Sequence, residues 1–267
     1  MADIVGSKQY IQQESVDFNS PTSEVTFTTV GGSINWSLDQ LSGQKVQRFS
    51  SVGAGAFIVP TTANLIYYWL IGGGGGGGGT DNNLVSNFYR GAAGGSGAYH
   101  VDGFFPAIGG STITINVGAG GVGGPGNTNG GTGGDTTISG TGIAMTARGN
   151  GGGERALDGG NTSFNQYQIG TSGGQGFTNA LPGQGSQSFS GGAGGASVGA
   201  GPNTLAGGGG GGSSSIAKGG NGGNGGGTGS SGGVGAGGGG SGGHSGGGFL
   251  TGSNGGSGLA IIVAYKI

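Results

Sequence analysis

Glu154 and Asp158 stand on either side of Arg155, and a carboxylate pair of this kind could supply the acid and base of a glycosidase. The same three residues also fit a solvated turn with local ion pairing, which is the preferred reading. His100 and His244 are the only histidines and lie far apart in the chain. His100 falls in a strand pattern and His244 among glycines, so neither is expected to ligate a metal or catalyse. Serine and threonine are plentiful, but no histidine–carboxylate pairing can be assigned to activate one of them. GxGxxG patterns recur, for example within 118–126, yet no helix pattern or βαβ unit surrounds them. Lys218 follows Ala217 rather than glycine, so there is no phosphate-loop lysine. Cysteine is absent, which removes disulfides and thiolate metal sites. The expectation is a protein that is not an enzyme, with no cofactor and no metal.

Binding chemistry is better supplied. Flat rings stack on sugar faces or pack on exposed protein loops, and a guanidinium adds a forked polar end. The candidates are Phe88, Tyr89 and Arg90 in a first loop, Phe164 and Tyr167 in a second, and Phe177 and Phe189 in a third. The alternative, in which these rings anchor their own loops, stays open. Tyr67, Tyr68 and Trp69 alternate across one strand, so at least one face is core, and they are excluded from the candidates.

The elements that must position these loops are unusual. Of 267 residues, 81 are glycine, a collagen-like share, but runs such as 207–212 break any strict third-residue period and proline is only 6. Charged residues are 7% and the formal net charge is −2, so neither nucleic acid nor an anionic membrane is an expected partner. No apolar run approaches the roughly 20 residues of a membrane span. The start shows no basic region followed by an apolar one, so no signal peptide is expected.

The chain is organised around residues 64–79, where the apolar strand LIYYWLI runs into eight glycines. Residues 25–30 and 34–38 read as a hairpin turning at Gly31-Gly32, with Trp36 in the core of that small unit. Residues 57–59, 65–71, 97–105, 111–117, 136–138, 143–147 and 259–267 read as further strands. The composition divides the chain into residues 1–56, read as an N-terminal attachment module with a mere extension of the main domain as the alternative, and a glycine-rich domain, 57–267.

Between the strands the glycine runs read either as flexible linker or as a lattice. The lattice is favoured. Strong apolar strands bracket the runs, Ala, Val, Asn and Ile recur inside them, and short non-glycine pieces separate them. A polyglycine II helix has three residues per turn and no internal hydrogen bonds, so it must bond to neighbouring helices. Each such bond nets only about 0.5–1.5 kcal/mol, against roughly 1–2 kcal/mol of backbone entropy per residue. The lattice therefore needs flanking strands to clamp it. The expected fold is all-β and irregular: short antiparallel strands clamping a bundle of polyglycine II helices, with little or no α-helix.

FIVPTTANLIYYWLIGGGGGGGG resembles the opening of the glycine-rich domain of tailed-phage tail fibre and tail tip proteins. GSGAYHVDGFFPAIGGSTITINVGAGGVGG, GGDTTISGTGIAMTARGNGGG and GSGLAIIVAYKI resemble its later units, and the likeness covers about 53–267. It implies packed polyglycine II helices with loops that touch the bacterial surface. It also implies a tip adhesin on the virion, extracellular after host lysis, whose partner is a glycan or an outer-membrane protein. Residues 1–56 would join other phage tail or fibre proteins, and a homotrimer is one arrangement such a tip could take. The loops at 80–93 and 161–189 depart from the family pattern, so no receptor identity carries over. The competing readings are a purely structural or ice-binding glycine-rich protein, and a depolymerase. Irregular aromatic loops argue against the former, scarce carboxylates and histidines against the latter.

Overall fold

A computed structural model describes residues 45–80, 91–126, 128–155, 182–183, 185, 192–193, 205–243 and 249–266, and the backbone alone of 24–29, 32–37, 84–85 and 88–89. Two strands, β1 (Glu24–Thr29) and β2 (Gly32–Ser37), form an antiparallel hairpin. The main body begins with β3 (Lys45–Phe49) and β4 (Gly53–Ile58), followed by β5 (Leu65–Ile71). Two short strands, β6 (Leu84–Val85) and β7 (Phe88–Tyr89), pair inside the first loop. Then come β8 (His100–Pro106), β9 (Thr112–Val117), β10 (Thr136–Gly140), β11 (Ile143–Ala147) and β12 (Leu259–Tyr265).

The long strands make two antiparallel four-stranded sheets, β3-β12-β5-β8 and β11-β10-β9-β4. No helix occurs among the described residues. β3 and β4 are strands of this sandwich, and β4 runs across position 56. Alternate residues of each strand meet between the sheets. Phe57, Ile66, Leu70, Ile115, Ile138 and Ile262 are fully buried there, with Tyr68 among them. β9 alternates as a one-faced strand should, with Ile113, Ile115 and Val117 inside and Thr112, Thr114 and Asn116 outside.

Where β5 ends, the chain runs straight on as residues 72–80. Gly72, Gly75 and Gly78 donate to the carbonyls of Tyr99, Ser96 and Ala93. Gly73, Gly76 and Gly79 donate to Gly134, Gly131 and Thr128, and Gly74, Gly77 and Thr80 to Gly256, Ser253 and Leu250. Every third donor reaches the same neighbour, so the run has three residues per turn, and no bond closes within it. That is polyglycine II. The carbonyls behave alike: Gly73 and Gly76 accept from Asn150 and Gly153, Gly74 and Gly77 from Gly121 and Gly124, Gly75 and Gly78 from Gly238 and Ser241. Partner numbers fall for the three acceptor neighbours, which are antiparallel, and rise for the three donor neighbours, which are parallel. The run is thus enclosed by six others.

Residues 236–243 form a second enclosed helix. Its amides reach 206–212, 75–78 and 227–230, and its carbonyls accept from 220–226, 92–95 and 253–256. Only glycine permits this spacing. A Cβ at Gly77 would strike the carbonyl of Gly239, and one at Gly74 the carbonyl of Ala236. At the rim, side chains take over where no neighbouring helix stands: Asn254 Oδ1 accepts from Gly123 at 2.9 Å and Asp135 Oδ1 from Gly149 at 2.9 Å. The sandwich meets the lattice through Ile71, Ala98 and Leu259, packed with Val234. The turn there needs Gly235, whose φ is +68°.

Candidate functional site

The helices shuttle between two ends. One end is the sandwich. The other is a tip where 79–80, 124–126, 128, 154–155 and 249–250 come together: Gly79 donates to Thr128, Thr80 to Leu250, and Ala93 to Glu154. Every loop with a candidate residue is anchored on the lattice. The first leaves at Thr80 and returns at Gly91. The second leaves at Arg155, whose amide donates to Asn129 Oδ1 at 2.8 Å, and the chain is next described at Pro182 and at Gly183, which lies against Gly208. Gly192, after Phe189, donates to Gly211. By contrast, β3 starts at the opposite end, where the Lys45 ammonium donates to the carbonyl of Ile58 at 3.2 Å.

Phe88 and Tyr89 form β7, opposite Val85 and Leu84. Arg90, Phe164, Tyr167, Phe177 and Phe189 lie outside the described residues. The tip also carries the apolar side chain of Phe249, and the side of the lattice, level with Gly76, carries that of Val122. Phe249 is 73% exposed and Val122 69%. The Phe249 ring lies over Gly126, where φ is +53° and a Cβ would come within 2.9 Å of it. One or two large residues set among glycines carry no periodic signal.

A second surface is the outer face of β3-β12-β5-β8. Tyr68 points into the sandwich, but Tyr67 and Trp69 point out and are half-buried. Register sets Tyr67 beside Phe104 and Val263, and Trp69 beside Asp102 and Ile261. The Tyr67 and Phe104 rings lie 4.9 Å apart, and Trp69 meets His100 edge-on at 5.3 Å. The Tyr67 hydroxyl donates to Asp102 at 3.4 Å, and burial, reinforced by that carboxylate, raises its pKa. His100 Nε2 is buried and lies 3.5 Å from Asp102 Oδ1 without a hydrogen bond. Burial lowers the imidazole pKa, with Asp102 opposing. Tyr68 is thus the core face that the alternation required, and Tyr67 and Trp69 form the opposite face of the same strand. The signal for them was in β5 and β12, which are apolar at consecutive positions and so ask for cover on both faces.

Among the described residues no group of His, Asp and Glu is arranged to hold a metal, and no helix is long and apolar enough to cross a membrane. The lattice, its clamping sheets and the glycine runs coincide with a match to the glycine-rich domain over residues 50–265. The chain belongs to the glycine-rich domain family. That match begins beside β4 and ends at the last residue of β12, so the glycine-rich domain comprises lattice and sandwich together, with β3 added at its edge. No curated protein matches the chain.

Proposed function

We propose that this glycine-rich protein is a structural and binding component of a phage tail fibre or tail tip, which recognises the host cell surface through loops held on the polyglycine II lattice. The observation that carries the reading is the polarity of the molecule. The loops with Phe88, Tyr89 and Arg90, and with Phe164, Tyr167 and Phe177, depart from the tip, while the chain enters the sandwich at the opposite end. Lattice helices offer hydrogen and methyl side chains, which bind little. Affinity then falls to the few large side chains in the loops, on a scaffold that holds them in place.

In this reading the receptor is a surface glycan or an outer-membrane protein, and the segment before the sandwich joins other tail proteins. The protein resides in the virion, works without a cofactor and performs no catalysis. The test is binding of the purified protein to envelopes from a panel of bacteria, with competition against phage adsorption. Saturable binding to envelopes of some strains and not others supports the reading. Failure to bind any envelope that the parent phage adsorbs to contradicts it.

A further inference from the structure

The two outer faces of the sandwich differ in a way that solvent alone does not explain. The β11-β10-β9-β4 sheet presents Thr112, Thr114, Asn116, Ser139 and Thr146, which suit water, with Ile58 as a single exposed large apolar side chain at its β4 edge. The β3-β12-β5-β8 sheet presents Tyr67, Trp69, Phe104, Val46 and Ile261 as a cluster, with Phe104 64% exposed and the charged Arg48 and Asp102 beside it. Large apolar side chains clustered on one sheet face mark a contact surface.

The chain carries a matching element. In the β1–β2 hairpin Val25 pairs with Trp36 and Phe27 with Ile34. Direct partners share a face and positions two apart return to it, so these four fall on one side. Thr26, Asn35, Thr28 and Ser33 fall on the other. A lone two-stranded hairpin is marginal in water and needs a surface to pack on. Residues 38–44 join it to β3, the edge strand of the same sheet. That length reaches on the order of 25 Å when extended, and four strands are only about 15 Å across.

We propose that the outer face of β3-β12-β5-β8 is the docking surface of the chain's own β1–β2 hairpin, which closes a third layer over Tyr67, Trp69 and Phe104. The inference is independent of what the tip binds. It makes the N-terminal hairpin a part of the sandwich and leaves only the residues before Glu24 to reach another tail protein.

The chain contains 2 tryptophans, Trp36 and Trp69, one on each mating face. In the full-length Trp36→Phe variant, Trp69 alone reports. Its fluorescence should resist acrylamide, and Phe27→Asp with Ile34→Asp should raise quenching severalfold and shift emission to the red. Amide exchange of 72–80 should not change, showing that the sandwich and lattice persist. In the reciprocal Trp69→Phe variant, Phe104→Asp should expose Trp36 in the same way. Equal quenching of Trp69 with and without the two aspartates overturns the proposal. So does protection of Trp69 that disappears on dilution, since the cover would then come from a second copy.

Discussion

The amide of Gly238 donates to the carbonyl of Gly75 at 2.9 Å, and this bond joins the two helices that are enclosed on every side. Side chains are excluded where these helices meet. Gly77→Ala would set a methyl against the carbonyl of Gly239 and push the two apart, loosening several bonds at once. Overpacking typically costs about 1–3 kcal/mol, and this variant should reach or pass the upper end. Gly227→Ala is the contrast, since the nearest atom its Cβ would meet is Asn224 O in the same turn, at 3.3 Å, and no neighbouring helix. It should cost less than about 1 kcal/mol. Urea unfolding of both variants checks this, and equal losses would contradict close packing at the hub.

Amide exchange should map the same lattice. The amides of Gly73 to Gly79 and of Gly237 to Gly242 are bonded across helices and buried, so they should exchange only when the lattice opens. Thr132, exposed at the rim, should exchange sooner. Random-coil rates for Gly76 and Gly239 in the folded protein would mean a linker instead of a lattice.

Much of this architecture was legible in particular residues. Ile113, Ile115 and Val117 announced a one-faced strand, and eight glycines after LIYYWLI announced a backbone that other backbones must touch. What could not be read was which helices would be neighbours. Polyglycine pairing has no side-chain code, so nothing at Gly75 names Gly238 as its partner. β3 was missed for a related reason: Lys45, Gln47 and Arg48 look polar, but an edge strand over the sheet margin tolerates them. The alternation of Tyr67, Tyr68 and Trp69 says that at least one face is core, but a run apolar on both faces does not say which face the second sheet will cover.

The two faces of β5 and β8 predict different costs. Leu70 is fully buried between the sheets, so Leu70→Ala should lose about 2–5 kcal/mol. Phe104 lies on the outer face, where a marginal two-stranded hairpin is its only proposed cover, so Phe104→Ala should lose less than half as much. Thermal or denaturant melts of the two variants make the comparison. A larger loss for Phe104→Ala would reverse the assignment of inner and outer faces.

His100 makes stability depend on pH in a defined direction. Its folded pKa lies below the ordinary 6.5 because burial disfavours the imidazolium, while Asp102 only partly compensates. Above about 6.5 neither folded nor unfolded chain holds the proton. As pH falls through 6.5 the unfolded chain takes it up first, so stability drops, and the drop levels off only once the folded form is protonated too. Melting temperatures of wild type and His100→Gln between pH 8 and pH 5 should therefore converge on acidification. A constant gap across that range would show that His100 is not held neutral.

The central claim is that the lattice holds the loops and the loops bind. Tyr89, Arg90 and Tyr167 combine flat or forked surfaces with polar ends, the kind of anchor that costs about 2 kcal/mol or more on truncation. Replacing all three by alanine and measuring phage adsorption rate beside the melting temperature tests the claim most directly. The account predicts that wild-type adsorption depends only weakly on salt, that the triple variant abolishes adsorption, and that its melting temperature stays within a few degrees of wild type. Unchanged adsorption would contradict it, and so would a collapse in melting temperature, which would mean that these side chains fasten the loops instead of binding a receptor.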